Sequence, residues 1–212
     1  MKTEILSEEE INIAANILKS GGIIAFPTET VYGLGAYAFN EKVVKNIFEV
    51  KKRAFNKPLT VHISKKNHAK FIAELNEISL ALIDVFWPGP LTIIFKKKCL
   101  RLSILTSTNE TVAIRLPSNK IAQKIIEKSG FFIAATSVNI SGEPSSICYK
   151  QVIDEMDGKI DAIVYCKNCE IGVESTIVDI SNNELVIKRI GAISLEKIEE
   201  AIGKIGKRID KT

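Results

Sequence analysis

Thr28, Glu29 and Thr30 follow directly on the apolar residues Ile23, Ile24, Ala25 and Phe26 and on Pro27. A short apolar run bounded by glycine and proline reads as a buried strand, and proline, having no N–H to donate, ends it. Gly33 and Gly35 come next, where backbone can bend or approach a ligand closely. A helical pattern with apolar Val43, Val44, Ile47, Phe48 and Val50 then ends in the cations Lys51, Lys52 and Arg53, with Lys57 close behind. A second polar loop, with Thr136, Ser137, Asn139 and Ser141, leaves the apolar run at residues 131–135. In open α/β folds, ligands bind where strands end. Hydroxyls at such exits with cations nearby suit a polar, anionic ligand. The same residues also fit a plain strand–loop–helix unit with a solvated charged end, so the pattern alone leaves both readings open.

Several common chemistries lack their residues. There is no G-x-x-x-x-G-K-[ST] phosphate loop and no G-x-G-x-x-G after a strand; Gly33-Leu34-Gly35 is too little for a dinucleotide site. No H-E-x-x-H or D-x-D-x-D-G pattern marks a metal site. His62 and His68 are the only histidines, which leaves a serine triad few bases. Of the cysteines Cys99, Cys148, Cys166 and Cys169, the last two have C-x-x-C spacing. A structural zinc needs four ligands, and no second pair is present. The pair also follows a strand-like run and does not open a helix, as a redox pair normally does. We therefore expect catalysis by positioning and charge neutralisation, without a covalent intermediate.

The elements that must hold these residues follow from periodicity. Ser7 with Glu10 reads as a helix start, and Gly21-Gly22 as its end. The helix carrying the cations is expected at 41–52. Residues 60–63 read as a strand containing His62, and 65–86 as helix broken near Asn76. Trp87-Pro88-Gly89-Pro90 is a turn before a strand at 91–95. The strand at 112–116 contains Arg115, a buried charge that needs a partner. Asn119 or Ser118 caps a helix to about 128. Further strands are expected at 131–135, 160–165, 175–180 and 185–190, and helices at 149–156 and 194–202. This alternation gives an α/β fold with a mixed sheet.

The chain has 212 residues, 46% apolar and 25% charged, with a net charge of +4. That is enough for a sizeable core, and the length allows one large domain or two small ones; with no convincing linker in the chain, we expect one domain over residues 1–212. No apolar run approaches the roughly 20 residues of a membrane span, so no membrane role is expected. The acidic start lacks a signal-peptide core, which makes the cytoplasm the expected location. The charge is too mild to demand nucleic acid. Lys96, Lys97, Lys98 and Arg101, and also Lys204, Lys207, Arg208 and Lys211, read as solvated clusters.

Beyond these patterns the chain resembles the threonylcarbamoyl-AMP synthase family (YrdC-like). The resemblance rests on PTETVYGLG, K-x-R at Lys51 and Arg53, KPLTVHI, WPGPLTIIF, TVAIRLP, TSVNISGEPS, GVESTIVDI and IKRIGAIS, in that order over nearly the whole chain. It implies a twisted open mixed β-sheet flanked by helices, with a large basic cavity. It implies a nucleotidyltransferase: L-threonine, bicarbonate or carbon dioxide, and ATP with its Mg²⁺ give threonylcarbamoyl-AMP and pyrophosphate, the first stage of threonylcarbamoyladenosine modification of tRNA. No protein-held metal is expected. By the resemblance, Lys51 and Arg53 are catalytic. Arg53, Lys57, Thr111, Asn139 and Arg189 hold ATP, and Thr30, His62, Arg115, Ser137 and Ser175 form the threonine pocket. A guanidinium such as that of Arg115 can bind a carboxylate bidentately. Lys51 lies about 200° around the helix from Arg53, so both reach one ligand only if the helix has ended there, and Arg53 is expected to make the direct phosphate contact. Ile147 stands where the family often has a hydroxyl, Ala54 where it often has proline, and the resemblance is to the short form without an added C-terminal domain. Transfer to tRNA implies downstream modification proteins. The competing readings are an RNA-binding module with direct tRNA or RNA contact, and a paralogue acting on another carbamoyl-type substrate.

Overall fold

In chain order the strands are β1 (Glu4–Leu6), β2 (Ile24–Phe26), β3 (Gly33–Tyr37), β4 (Thr60–Ile63), β5 (Leu91–Lys96), β6 (Thr111–Arg115), β7 (Phe132–Ser137), β8 (Ala162–Val164), β9 (Thr176–Asp179) and β10 (Val186–Arg189). The helices are α1 (Ile11–Lys19), α2 (Glu41–Lys51), α3 (Glu77–Phe86), α4 (Lys120–Ser129), α5 (Tyr149–Met156) and α6 (Leu195–Gly203), with a 3-10 segment at Lys66–Phe71. The computed structural model describes residues 2–102, 108, 110–130, 132–140 and 142–203. Phe131, Ser141 and the cations Lys204, Lys207, Arg208 and Lys211 lie outside the described residues.

The strands form one mixed sheet in the order β1-β8-β2-β3-β7-β4-β6-β5-β9-β10. The pairs β1–β8, β2–β8, β4–β6 and β5–β9 are parallel, and the other neighbours are antiparallel. Alternation along the strands separates two faces. Leu34, Val61, Ile93, Ile114, Ala134 and Val178 point into the larger core, together with apolar residues of α2, α3, α5 and α6. On the other face, Ile24, Phe26, Ile133 and Ala135 pack under α1 and α4. Those two helices cover only the β1 side of that face. The remainder, over β4, β6, β5 and β9, presents Thr60, His62, Ala113, Arg115, Thr92, Ile94 and Ile177 to a cavity.

Local signals explain most boundaries. Asn40 caps α2 by accepting the Val43 N–H at 3.3 Å. Asn76 and Ser79 make a reciprocal capping box at the start of α3. Asn119 accepts from both Ile121 and Ala122 at 3.0 Å to open α4. At the N-terminus only the glutamate half of the expected box forms: Ser7 N–H donates to Glu10 Oε2 at 2.8 Å, and the helix itself begins at Ile11.

Two strands escape the sequence reading. β1 is an acidic edge strand with only its last residue buried. β3 is the larger correction, because Gly33 and Gly35 sit inside a five-residue strand, not in a loop. They are glycine because the Phe26 ring crosses them. A Cβ on Gly35 would lie 2.7 Å from Ile133 Cγ2 and 2.9 Å from Phe26 Cε1.

Candidate functional site

The cavity has a volume of about 350 Å³. Its wall includes the cations Lys51, Arg53, Arg115 and Arg189 and one carboxylate, that of Glu174.

One end is built by the loop after β2. Thr28 Oγ1 donates to Val31 O at 2.7 Å and receives the Thr30 N–H at 3.2 Å, a hydroxyl-stabilised turn. The N–H groups of Ile171 and Gly172 bond Glu29 O and Thr30 O at 2.8 and 2.9 Å, pinning the loop. The turn is fully buried, and so are its side chains. Arg115 supplies the charge against it. Its Nη2 donates to Glu29 Oε1 and to Thr30 Oγ1, both at 2.8 Å. The partner that a buried strand arginine requires is therefore Glu29.

The register sets what flanks Arg115. His62 of β4 and Thr92 of β5 stand opposite it on the two neighbouring strands. Burial, with the Arg115 charge adding to it, pushes the His62 pKa down to about 3, so the ring is neutral at physiological pH. Thr92 Oγ1 and Ser175 Oγ are 2.9 Å apart and share a hydrogen bond. This end therefore offers a guanidinium, a neutral imidazole and paired hydroxyls.

The end of α2 builds another part of the wall. Lys51 is the last helical residue, and Lys52 takes the left-handed conformation at φ 51°. The Arg53 N–H then returns to Phe48 O at 2.8 Å, as in a Schellman stop. The expected loosening after Lys51 is present, and it lets Lys51 and Arg53 face one cavity. Their roles differ. Lys51, only 1% exposed, donates to Ser137 O, to Asn139 O at 2.7 Å and to Asn139 Oδ1 at 2.8 Å, so all three of its N–H bonds serve the polar loop after β7. Arg53 is braced by the carbonyls of Lys57 and Pro58, at 2.9 and 3.3 Å, with its guanidinium 6.0 Å from the Phe48 ring centre.

Asn139 is spent on its own loop: its Oδ1 also accepts from Ser137 Oγ at 2.7 Å, and its Nδ2 donates to Glu143 O at 2.6 Å. Glu174 ties two loops together, accepting from Ser145 Oγ at 2.6 Å and pairing with Arg189 Nη1. Arg189 also donates to Ser175 O from Nε and Nη2, at 3.2 and 2.9 Å.

Of the residues named from sequence, Lys51, Arg53, His62, Arg115, Ser137, Asn139, Ser175 and Arg189 line this single cavity. Thr30 stands behind the wall, its hydroxyl held between Thr28 and Arg115. Lys57 is exposed, contributes its carbonyl to Arg53 and is absent from the wall. Thr111 shares a strand face with Ala113 and Arg115 but stops short of the wall, its hydroxyl 2.7 Å from that of Thr108. The sequence reading missed Thr92 and Glu174, and it placed Thr28 and Glu29 at the strand exit without giving either a role. Glu29 could have been found, because Arg115 required an anion and PTET supplies one.

Among the described residues, no group of three or more His, Cys, Asp or Glu side chains is placed to hold a metal. No described helix is long and apolar enough to cross a membrane.

Comparison with known proteins bears on the family and the fold. The family model Sua5_yciO_yrdC, described as "Telomere recombination", matches residues 16–191. A threonylcarbamoyl-AMP synthase of Pyrococcus abyssi is 43% identical over 203 residues, covering 95% of this chain and 60% of the relative. A threonylcarbamoyl-AMP synthase of Bacillus subtilis is 42% identical over 207 residues, covering 97% of this chain and 59% of the relative. This chain thus spans about 60% of the length of these relatives. The crystal structure of P. abyssi Sua5 complexed with L-threonine superposes with a TM-score of 0.91 at 40% identity, over 99% of this chain and 66% of that one.

Proposed function

The chain belongs to the Sua5_yciO_yrdC family, and on that footing we propose that it is an L-threonylcarbamoyladenylate synthase, a nucleotidyltransferase acting on L-threonine, bicarbonate and ATP. The observation that carries the proposal is the placement of Arg115 and Arg53 in one cavity wall. Two substrates are anionic at one end each, and the reaction needs both held in line.

The chemistry asks little of the protein in covalent terms. The threonine amine adds to carbon dioxide from bicarbonate, giving a carbamate and, overall, one water. A carbamate oxygen attacks the α-phosphorus of ATP, and the bond to the β-phosphate oxygen breaks, releasing pyrophosphate. The carbamate is already nucleophilic, so rate comes from alignment and from neutralising phosphoryl charge.

Arg115 binds the threonine carboxylate, with neutral His62 beside it. The Thr92–Ser175 hydroxyl pair and Ser137 suit the substrate hydroxyl. Arg53 meets the ATP phosphates, and Arg189 and Asn139 shape the nucleotide end. Lys51 acts through the loop it holds. Lys57 and Thr111 are given no contact. Mg²⁺ is proposed to arrive on the ATP phosphates, because Glu174, the one wall carboxylate among the described residues, is already committed to Arg189 and Ser145. Transfer of the threonylcarbamoyl group to tRNA is proposed to need other proteins.

The test is pyrophosphate release with each substrate omitted in turn. Release that requires both threonine and bicarbonate supports the proposal. ATP hydrolysis indifferent to threonine would overturn it. Arg53→Ala should lose most of the release at saturating substrates, and Arg53→Lys should rescue it poorly, since lysine lacks the guanidinium fork.

A further inference from the structure

The anion behind Arg115 bears on which ligand the pocket accepts. Glu29 is 1% exposed, lies behind the cavity wall, and pairs with a guanidinium that is itself buried. Its second oxygen, Oε2, is buried and accepts no hydrogen bond from the protein. Arg115 Nε is likewise buried and unpartnered. The pair is therefore held by a single amino group.

Two consequences follow. First, Nη2 has two hydrogens, and both are committed, to Glu29 Oε1 and to Thr30 Oγ1. Every bidentate edge of a guanidinium includes Nη2, whether it is shared with Nε or with Nη1. A substrate carboxylate in this pocket meets Nη1 alone, and the bidentate grip expected from sequence is closed unless Glu29 or Thr30 gives way. Second, the amino-acid end of the cavity is charge-balanced before any ligand arrives. Arg115 carries +1 and Glu29 −1, while His62 is neutral. A bare carboxylate entering this end adds a net negative charge beside an Arg115–Glu29 pair, 2.8 Å apart, whose charges already cancel. A zwitterion adds none, since its ammonium offsets its carboxylate in the field of Glu29.

We propose that Glu29 is a specificity-determining residue that restricts the pocket to zwitterionic amino acids, excluding hydroxy acids and other simple carboxylates of the same shape. It acts through Arg115 and through its field, without touching the substrate. The inference rests on the synthase reading, in which Arg115 faces the substrate carboxylate.

Titration calorimetry tests it with three ligands: L-threonine, the amine-free analogue 3-hydroxybutyrate, and ATP. The natural protein should prefer threonine over 3-hydroxybutyrate by at least about tenfold. Glu29→Gln keeps an oxygen that can accept from Nη2 and removes only the charge. It should reduce that preference by at least about tenfold while ATP affinity stays within about twofold. Glu29→Asp keeps the charge and should keep the preference, even if both small ligands bind less tightly. A merely structural role would weaken all ligands together in both variants. An unchanged preference in a folded Glu29→Gln protein overturns the proposal. If that variant does not fold, the natural protein decides, because equal affinity for threonine and 3-hydroxybutyrate also overturns it. A natural protein that binds no threonine and releases no pyrophosphate overturns the synthase reading instead.

Discussion

Lys51 and Asn139 are joined by two hydrogen bonds from one ammonium, to the main-chain oxygen at 2.7 Å and to the side-chain Oδ1 at 2.8 Å. The last residue of a helix thereby fixes the polar loop after β7 beside it in the cavity wall. A third bond, to Ser137 O, uses the remaining N–H. Lysine suits the position because it alone offers three donors from one point.

That arrangement gives Lys51 a pH signature. Burial, with Arg53 adding to it, pushes its pKa down to about 8 from the usual 10.5. Between those values the unfolded chain holds a proton that the folded chain has released. Stability linked to Lys51 therefore rises as pH increases from about 8 to 10.5. Urea unfolding across this range should show that rise in the natural protein, and Lys51→Met should lack it. The same variant should lose activity by at least about tenfold, since a drop of that order in transition-state stabilisation corresponds to about 1.4 kcal/mol.

Breaking the Arg115–Glu29 pair on one side should be costly. Arg115→Ala leaves a buried carboxylate with neither oxygen paired to a cation, and we expect a loss of about 3–5 kcal/mol in urea unfolding. Adding Glu29→Gln to Arg115→Ala should recover part of that loss. If the double variant is less stable than Arg115→Ala alone, the buried pair is not what holds this end together.

His62 predicts the acid side. Its folded pKa is about 3 against an ordinary 6.5. As pH falls from 6.5 toward 3, the unfolded chain takes up a proton that the folded chain refuses, so stability falls by up to about 1.4 kcal/mol per pH unit from this group. His62→Gln should flatten that acid slope. An identical slope in the variant would contradict the assignment.

Cys166 and Cys169 are expected to be inert. Burial raises both thiols, Cys169 to about 12, so neither is a thiolate at neutral pH. Cys166→Ser combined with Cys169→Ser should leave activity within about twofold, and the purified protein should contain no stoichiometric zinc. Zinc that disappears in the double variant would refute this.

What was legible in the sequence divides along a physical line. Periodicity and caps placed β4, α2, α3 and α5 to within a residue or two, because their signals are local. β3 was not legible, since glycines usually mark bends, and here they are required by the Phe26 ring and Ile133 on neighbouring strands. The site divides in the same way. Arg53, His62 and Arg115 were identified from motifs, and all face the cavity. Lys57 and Thr111 carry the same kind of motif support, yet their side chains do not reach the wall. Glu29 and Glu174 were passed over because their importance lies in partners far along the chain, Arg115 and Arg189. Strand register and loop packing make these pairings; the need of Arg115 for an anion was a clue to Glu29, and Glu174 had no such clue.

The most direct measurement is mass spectrometry of the nucleotide product formed from ATP, L-threonine and ¹³C-bicarbonate, with Arg53→Ala run in parallel. The account predicts an adenylate containing both threonine and the labelled carbon, formed with equimolar pyrophosphate and nearly absent from the Arg53→Ala reaction. An adenylate without the label, or equal product from Arg53→Ala with its fold intact by circular dichroism, would contradict it.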